Sequence, residues 1–171
     1  RAEHEDGDLI LSVKRLMGSE RTFFVLDDHA GLHHENRQEW NVEEVASFIL
    51  EDILRRAEAD CGGKITKVVA TYPTLYSIRK KNALKRAFSR AFKRLDVEFT
   101  DDTLTLHLDE ANAAAFNFIY EHLIEEFRSL DITERDTYLL SYDFGGGTTD
   151  VSLLFVKISR DEQGKIYINT D

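Results

Sequence analysis

Three consecutive glycines, Gly145, Gly146 and Gly147, sit between Asp143 and a Thr148-Thr149-Asp150 run in the stretch SYDFGGGTTDVSLLFV. The chain has nine glycines in 171 residues, and each costs roughly 0.5–1 kcal/mol in chain entropy relative to alanine, so the triplet needs a reason. One reading is a tight turn between two antiparallel strands, although such a turn demands only one or two residues at positive φ. The other is an anion nest. Successive bare N–H groups with no Cβ to hold an oxygen away can cradle a phosphate, with Thr148 and Thr149 at the rim. Asp143, facing the same loop, has the chemistry to hold a hydrated magnesium ion, which keeps several waters and takes one or two carboxylates. Spacing alone leaves both readings open.

Other chemistry-bearing groups are less ordered in sequence. Asp27, Asp28, His29, His33, His34 and Glu35 gather metal-ligating types without helical His-x-x-x-His or paired-cysteine spacing, which leaves a polar loop or a bound structural metal. His107 and His122 have no partner identifiable from sequence. Cys61 is the single cysteine and cannot close an internal bridge, and no run approaches the ~18 apolar residues of a membrane span; a reducing, soluble compartment such as the cytoplasm is expected. Between Ser77 and Leu95 there are eight basic residues and no acid, which leaves 14 basic against 32 acidic residues elsewhere in a chain of net charge −10. That balance disfavours generic nucleic-acid binding. The basic stretch is either the solvated face of an amphipathic helix or a surface for an acidic partner.

The elements that must position these groups follow from periodicity. A short helix is predicted from about Leu9 to Met17, ended by Gly18, and a strand over RTFFVLDD. The clearest helix is NVEEVASFILEDILRRAEADCGG, with Asn41 as cap, Glu43 and Glu44 in the first turn, Val45, Phe48, Ile49, Ile53 and Leu54 at helical spacing, and Gly62 and Gly63 as stop. KITKVVATYP reads as a buried strand ending at Pro73, the only proline. The basic helix follows, with Leu84, Ala87, Phe88, Ala91, Phe92 and Leu95 as its inner stripe. DVEFTDD reads as a short strand, DEANAAAFNFIYEHLIEEFRSL as a long, mostly buried helix, and TYLLSYD, TDVSLLFVKI and KIYIN as strands. Interleaved helices and strands make the class α/β.

YDFGGGTTDVSLL resembles the second phosphate-binding segment of the heat-shock protein 70 chaperone family, in the actin, hexokinase and heat-shock ATPase superfamily. VKRLMG (Val13 to Gly18) is similar to that family's early lysine helix, KVVATYP to the strand ending in its interdomain proline, and DEANAAA (Asp109 to Ala115) to its NEPTAAA helix start. The four segments fall in the family's order and cover nearly the whole chain from Leu9. The resemblance implies a partial actin-like ATPase fold of ribonuclease H-like type, a mixed sheet with flanking helices. It implies ATP or ADP and magnesium as cofactors of a parent protein that hydrolyses ATP to drive conformational switching, with client or co-chaperone proteins as partners.

Residue by residue, the resemblance gives Lys14 the place of the lysine that reaches the transferring phosphate, and Glu110 that of the glutamate near the hydrolytic water and metal. Asp143 would bind magnesium through water. Gly145, Gly146 and Gly147 would cradle the β- and γ-phosphates, and Thr148 and Asp150 would steady the loop or the water. Pro73 resembles the switch proline, and Lys81 falls where the family has its relay arginine. Without the family, Lys14 reads as a solvated helix lysine, Glu110 as a first-turn carboxylate favoured by the helix dipole, Asp150 as an exposed residue starting a strand, and Pro73 as a strand-ending proline. Phosphoryl transfer to water needs charge neutralisation and positioning rather than a covalent nucleophile, so Cys61 and the serines are read as structural.

Departures from the family pattern lie at Asp109, Ala111 and Asn112 around the glutamate, and at Lys81 and Phe88 after the proline, where Phe88 replaces a glycine. Of these, Ala111, Lys81 and Phe88 favour an alternative, a non-catalytic interaction module that keeps the actin-like frame, while Lys14, Glu110, Asp143 and the glycine triplet favour the ATPase. The chain opens on Arg1 and no GIDLGTT-type first phosphate loop precedes Leu9, so an internal piece of an ATPase domain is expected, binding no nucleotide well on its own. Its expected parts are a peripheral subdomain portion at 1–64, the second half of the first core lobe at 65–135, and the opening strands of the second lobe at 136–171.

Overall fold

The computed structural model describes residues 10, 12–25, 38–144 and 149–170, with the backbone alone at 24, 25, 38, 143 and 150. The chain divides into two compact units, Arg1–Val69 with Tyr76–Thr105, and Ala70–Leu75 with Leu106–Asp171.

In the first unit, β1 (Thr22–Val25) pairs antiparallel with β2 (Gln38–Asn41), from Thr22 opposite Asn41 to Val25 opposite Gln38. The strand β2 runs straight into α2 (Val42–Cys61). A reciprocal cap makes that transition possible: Glu44 N–H donates to Asn41 Oδ1 at 3.0 Å, and Asn41 N–H donates to Glu44 Oε2 at 2.9 Å, satisfying two donors that a helix start would otherwise leave unpaired. At the far end Gly62, at φ 67°, donates its N–H to the Glu58 carbonyl, the left-handed stop anticipated from sequence. The basic segment forms α3 (Ile78–Arg94), capped by Ser77. Ala83 and Ala87 of α3 are fully buried with Met17, Phe23, Val42, Val45 and Ala46; side chains this small let α3 lie close to α2. Val68–Val69 (β3) and Leu104–Thr105 (β4) pair in parallel.

Several expectations change here. The first helix is only Val13–Leu16 (α1), because Ser12 takes a left-handed φ of 56° and so cannot extend it toward Leu9. The KITKVVATYP strand shrinks to two residues, with Val69 77% exposed. DVEFTDD forms no strand, since a turn takes its backbone: Thr100 N–H donates to Thr103 Oγ1 at 2.9 Å and Thr103 N–H to the Thr100 carbonyl at 3.1 Å. In α2 the buried positions are Val42, Val45, Ala46, Ser47 and Leu54, while Phe48, Ile49 and Ile53 are exposed. Phe48 instead stacks on Trp40, with ring centroids 4.6 Å apart, under the Arg94 guanidinium at 3.9 Å. Asp27, Asp28, His29, His33, His34 and Glu35 lie outside the described residues.

The second unit is a three-stranded antiparallel sheet in the order β5 (Glu134–Phe144), β6 (Thr149–Arg160), β7 (Ile166–Thr170). A long helical run packs on one face of it. This run is α4 (Glu110–Phe118), a π-helical segment at Ile119–Leu123, and α5 (Ile124–Ser129). Ala115, Ile119, Leu123 and Phe127 meet Leu154, Val156 and Ile158 in its core. The run is less buried than expected, with Phe116, Phe118 and Tyr120 exposed. Strand alternation sends Tyr138, Leu140, Tyr142, Phe144, Val151 and Leu153 outward, where all are more than half exposed.

Candidate functional site

Hairpin register places the glycines. The β5–β6 ladder runs from Glu134 opposite Ser159 to Phe144 opposite Thr149, with Asp143 directly opposite Asp150. Gly145, Gly146, Gly147 and Thr148, which join the two strands, lie outside the described residues. The flanking strands therefore do pair as the turn reading required, and they also bring two acidic positions together at the glycine end.

Glu110 is set at the first turn of α4 by its neighbours. Asp109 caps the helix, accepting from Asn112 N–H at 2.8 Å, and pairs in parallel with Tyr72. The Glu110 N–H donates to the Tyr72 carbonyl at 2.8 Å. The helix start is thus tied to the segment holding Pro73, which is buried. On the other side, Asn112 Oδ1 accepts from Ser152 Oγ of β6 at 2.9 Å. An open cavity of about 370 Å³ borders this joint, lined by Thr74, Asp109, Asn112, Phe116, Ser152 and Thr170 among others. Asn112 entered the sequence reading only as a departure from the family pattern, and Ser152 was not singled out. The Asp109-to-Asn112 interval is cap spacing, a signal that was there to read; nothing in the sequence marks a bond across the 40 positions to Ser152.

Lys14 and Lys81 belong to the first unit. Lys14 is exposed on α1, and its carbonyl accepts from Tyr76 Oη at 2.6 Å. Lys81 lies half-buried in the first turn of α3, its N–H donating to the Ser77 carbonyl at 3.0 Å.

Most of the basic helix is neutralised from within its own unit. Arg86 reaches Glu43 through two hydrogen bonds of 2.8 and 2.5 Å. Arg79 pairs with Glu20 at 3.1 Å, Lys85 with Asp101 at 2.9 Å, Arg90 with Glu44 at 3.6 Å and Arg94 with Glu51 at 3.5 Å. The hydrogen bond from Arg86 chiefly, helped by the Arg86 and Arg90 charges and opposed by burial, holds the Glu43 carboxyl below its usual range. A cationic stripe so paired has few charges left to release counterions from a nucleic acid. Among the described residues no three His, Cys, Asp or Glu side chains converge on a metal position, and no helix is long and apolar enough to cross a membrane.

The mixed helices and strands of both units, with the second unit's helix-covered sheet whose β5–β6 hairpin brackets three glycines, are part of an actin-like ATPase fold. The family model described as "Hsp70 protein" matches residues 6–164, and the chain belongs to that family. It is similar to the chaperone protein DnaK of Mesomycoplasma hyopneumoniae (strain 232), 33% identical over 147 residues that make up 86% of this chain and 20% of that protein. Against the DnaK of Mycoplasmopsis pulmonis the identity is 34%, with the same coverage of 86% and 20%. The archaeal DnaK of Nitrosopumilus maritimus is 32% identical over 145 residues, 85% of this chain and 18% of that protein. The chain thus spans about one fifth of the length of these relatives.

Proposed function

We propose that this chain forms part of the ATP-binding region of an Hsp70-type chaperone whose whole protein hydrolyses ATP with magnesium to drive conformational switching. One observation carries the reading beyond family membership: the register that opposes Asp143 and Asp150 at the end of the hairpin joined by Gly145, Gly146 and Gly147. In this proposal Asp143 holds magnesium through water, the glycines and Thr148 receive the β- and γ-phosphates, and Asp150 steadies the loop. Held there, a nucleotide would supply the phosphoryl group and the metal would neutralise its charge for transfer to water. Glu110 orients that water from the start of α4, Lys14 stabilises the transferring phosphate, and Pro73 and Lys81 belong to the switch. The portions 1–64, 65–135 and 136–171 are proposed as a peripheral piece, the rest of the first lobe, and the opening of the second. A cytoplasmic protein with client or co-chaperone partners fits this role.

A second reading, a non-catalytic interaction module on the same frame, draws on Phe88 and Ala111. Both departures are buried, 5% and 0% exposed, so the frame has packed around them without needing the family's residues. Calorimetric titration of the full-length protein with Mg-ATP, paired with a phosphate-release assay, separates the two. Magnesium-dependent binding and turnover that both vanish in Asp143→Ala support the ATPase; tight binding of a partner protein with no nucleotide effect supports the module.

A further inference from the structure

Asn112 joins three stretches of the second unit. Its backbone N–H donates to Asp109 Oδ1 at 2.8 Å, its side-chain Nδ2 donates to Asp109 Oδ2 at 2.9 Å, and its Oδ1 accepts from Ser152 Oγ at 2.9 Å. Chemistry fixes these directions. An ionised carboxylate can only accept, so the amide must turn its nitrogen to Asp109 and its oxygen to Ser152, which leaves the hydroxyl to donate. Both oxygens of Asp109 are held in this way, and Asp109 is bridged to Tyr72, whose carbonyl takes the Glu110 N–H at 2.8 Å. Ser152 lies on β6, two residues beyond Asp150, and all three side chains are half-buried, where water competes less for such bonds.

We propose that Asn112 and Ser152 are positioning residues: their hydrogen bond locks the helix start carrying Glu110 to the strand that leaves the glycine loop. Further along, α4 and β6 meet through apolar contacts, which resist separation but permit sliding and rotation, since packing is non-directional. A hydrogen bond between short side chains fixes both direction and distance. The role in turnover rests on the ATPase reading; the mechanical link does not. An angstrom of misplacement in a water-orienting carboxylate is enough to cost up to about a hundredfold in rate.

The experiment uses the full-length protein with Ser152→Ala, Ser152→Thr, Asn112→Ala and the Asn112→Ala/Ser152→Ala pair, measuring single-turnover Mg-ATP hydrolysis, nucleotide Kd, and amide hydrogen exchange. Ser152→Ala is expected to slow turnover about tenfold while Kd changes by less than about twofold, a split that marks positioning rather than binding. Ser152→Thr keeps the hydroxyl on a strand that tolerates β-branching and should restore the rate. The double variant should be no slower than the worse single one, because both remove the same bond. Exchange at the Glu110 and Asn112 amides should quicken in Ser152→Ala and return to normal in Ser152→Thr. Unchanged turnover in Ser152→Ala, or additive losses in the double variant, would overturn the proposal. If the wild type shows no turnover at all, the ATPase reading fails, and the exchange data decide the link alone: equal protection in wild type and Ser152→Ala refutes it.

Discussion

Replacing Gly18 with alanine tests how the turn bearing Lys14 is held against α3. Gly18 sits at φ 75°, and a Cβ there would lie 3.2 Å from Lys80 Cγ and 3.3 Å from Lys80 Cα. Gly62 has a similar φ of 67° with nothing within 4 Å of the same position, which makes it an internal control. Alanine in the left-handed region costs about 1–2 kcal/mol, and the loss of unfolded-chain freedom returns about 0.4–1. Gly62→Ala should therefore destabilise by at most about 1.6 kcal/mol. At Gly18 the same terms apply, and the new methyl also presses on the Lys80 backbone, which cannot rotate aside; shifting a packed helix adds on the order of 1 kcal/mol. A gap of about 1 kcal/mol between the two variants is expected, or roughly 2–4 °C in melting temperature for a chain of this size. Trp40 is the only tryptophan and packs against the first unit's core, so its fluorescence during urea unfolding reads the effect in the right place. Equal losses at Gly18 and Gly62 would mean that the close approach to Lys80 contributes nothing, and the reasoning would fail.

Glu43→Gln should weaken the first unit by less than about 1 kcal/mol near neutral pH, a small figure because Arg86 is more than half exposed. The Glu43 carboxyl is lowered in the folded state, so its contribution is full above the ordinary glutamate value of about 4.3 and is lost as pH falls through the lowered one. Urea midpoints of wild type and Glu43→Gln should thus differ at pH 6 and draw together as pH falls below the ordinary glutamate value and through the lowered one. Phe127→Ala, at a fully buried site under the Arg160 guanidinium at 5.1 Å, should cost about 3–5 kcal/mol by chemical denaturation followed by circular dichroism, against about 1 for Phe127→Leu. In the full-length protein, Lys14→Ala and Glu110→Ala should each slow single-turnover ATP hydrolysis by about 10²–10³ with little change in nucleotide Kd; normal turnover in either variant removes that residue from the chemistry.

What the sequence revealed depended on how local the determining interactions were. Helix α2 was legible at both ends because Asn41, Glu44 and Gly62 act within four residues of the backbone groups they satisfy. The α3 stripe was legible because its period belongs to one helix. Phe48, Ile49 and Ile53 obey the same helical period, yet they are exposed, since periodicity gives a face and not the neighbour that covers it. Strand β2 carries little alternation in Gln38–Asn41 and owes its form to pairing with β1. DVEFTDD has strand composition but loses its backbone to the Thr100–Thr103 turn. In the candidate site, the glycine triplet and the capped start at Asp109 could be read from short motifs; the Ser152 contact could not, because it is decided by where two distant elements meet.

The π-helical segment at Ile119–Leu123 acts as a gearing between the two ends of the long helical run. Ala111, Ala115, Ile119, Leu123 and Phe127 recur at every fourth residue and are all buried. An α-helix advances about 100° per residue, so a strict four-residue period over 16 residues drifts by about 160°, nearly to the opposite side. A turn closed by i→i+5 bonds takes up one residue more than an α-turn and unwinds part of that drift, returning Phe127 to the sheet. The length of the run is therefore phased as well as apolar. Were the π turn to relax to an α-turn at unchanged length, every later side chain would swing by about 100° to a direction meant for its neighbour, whereas deleting one residue there would remove the extra residue and keep Phe127 on the sheet.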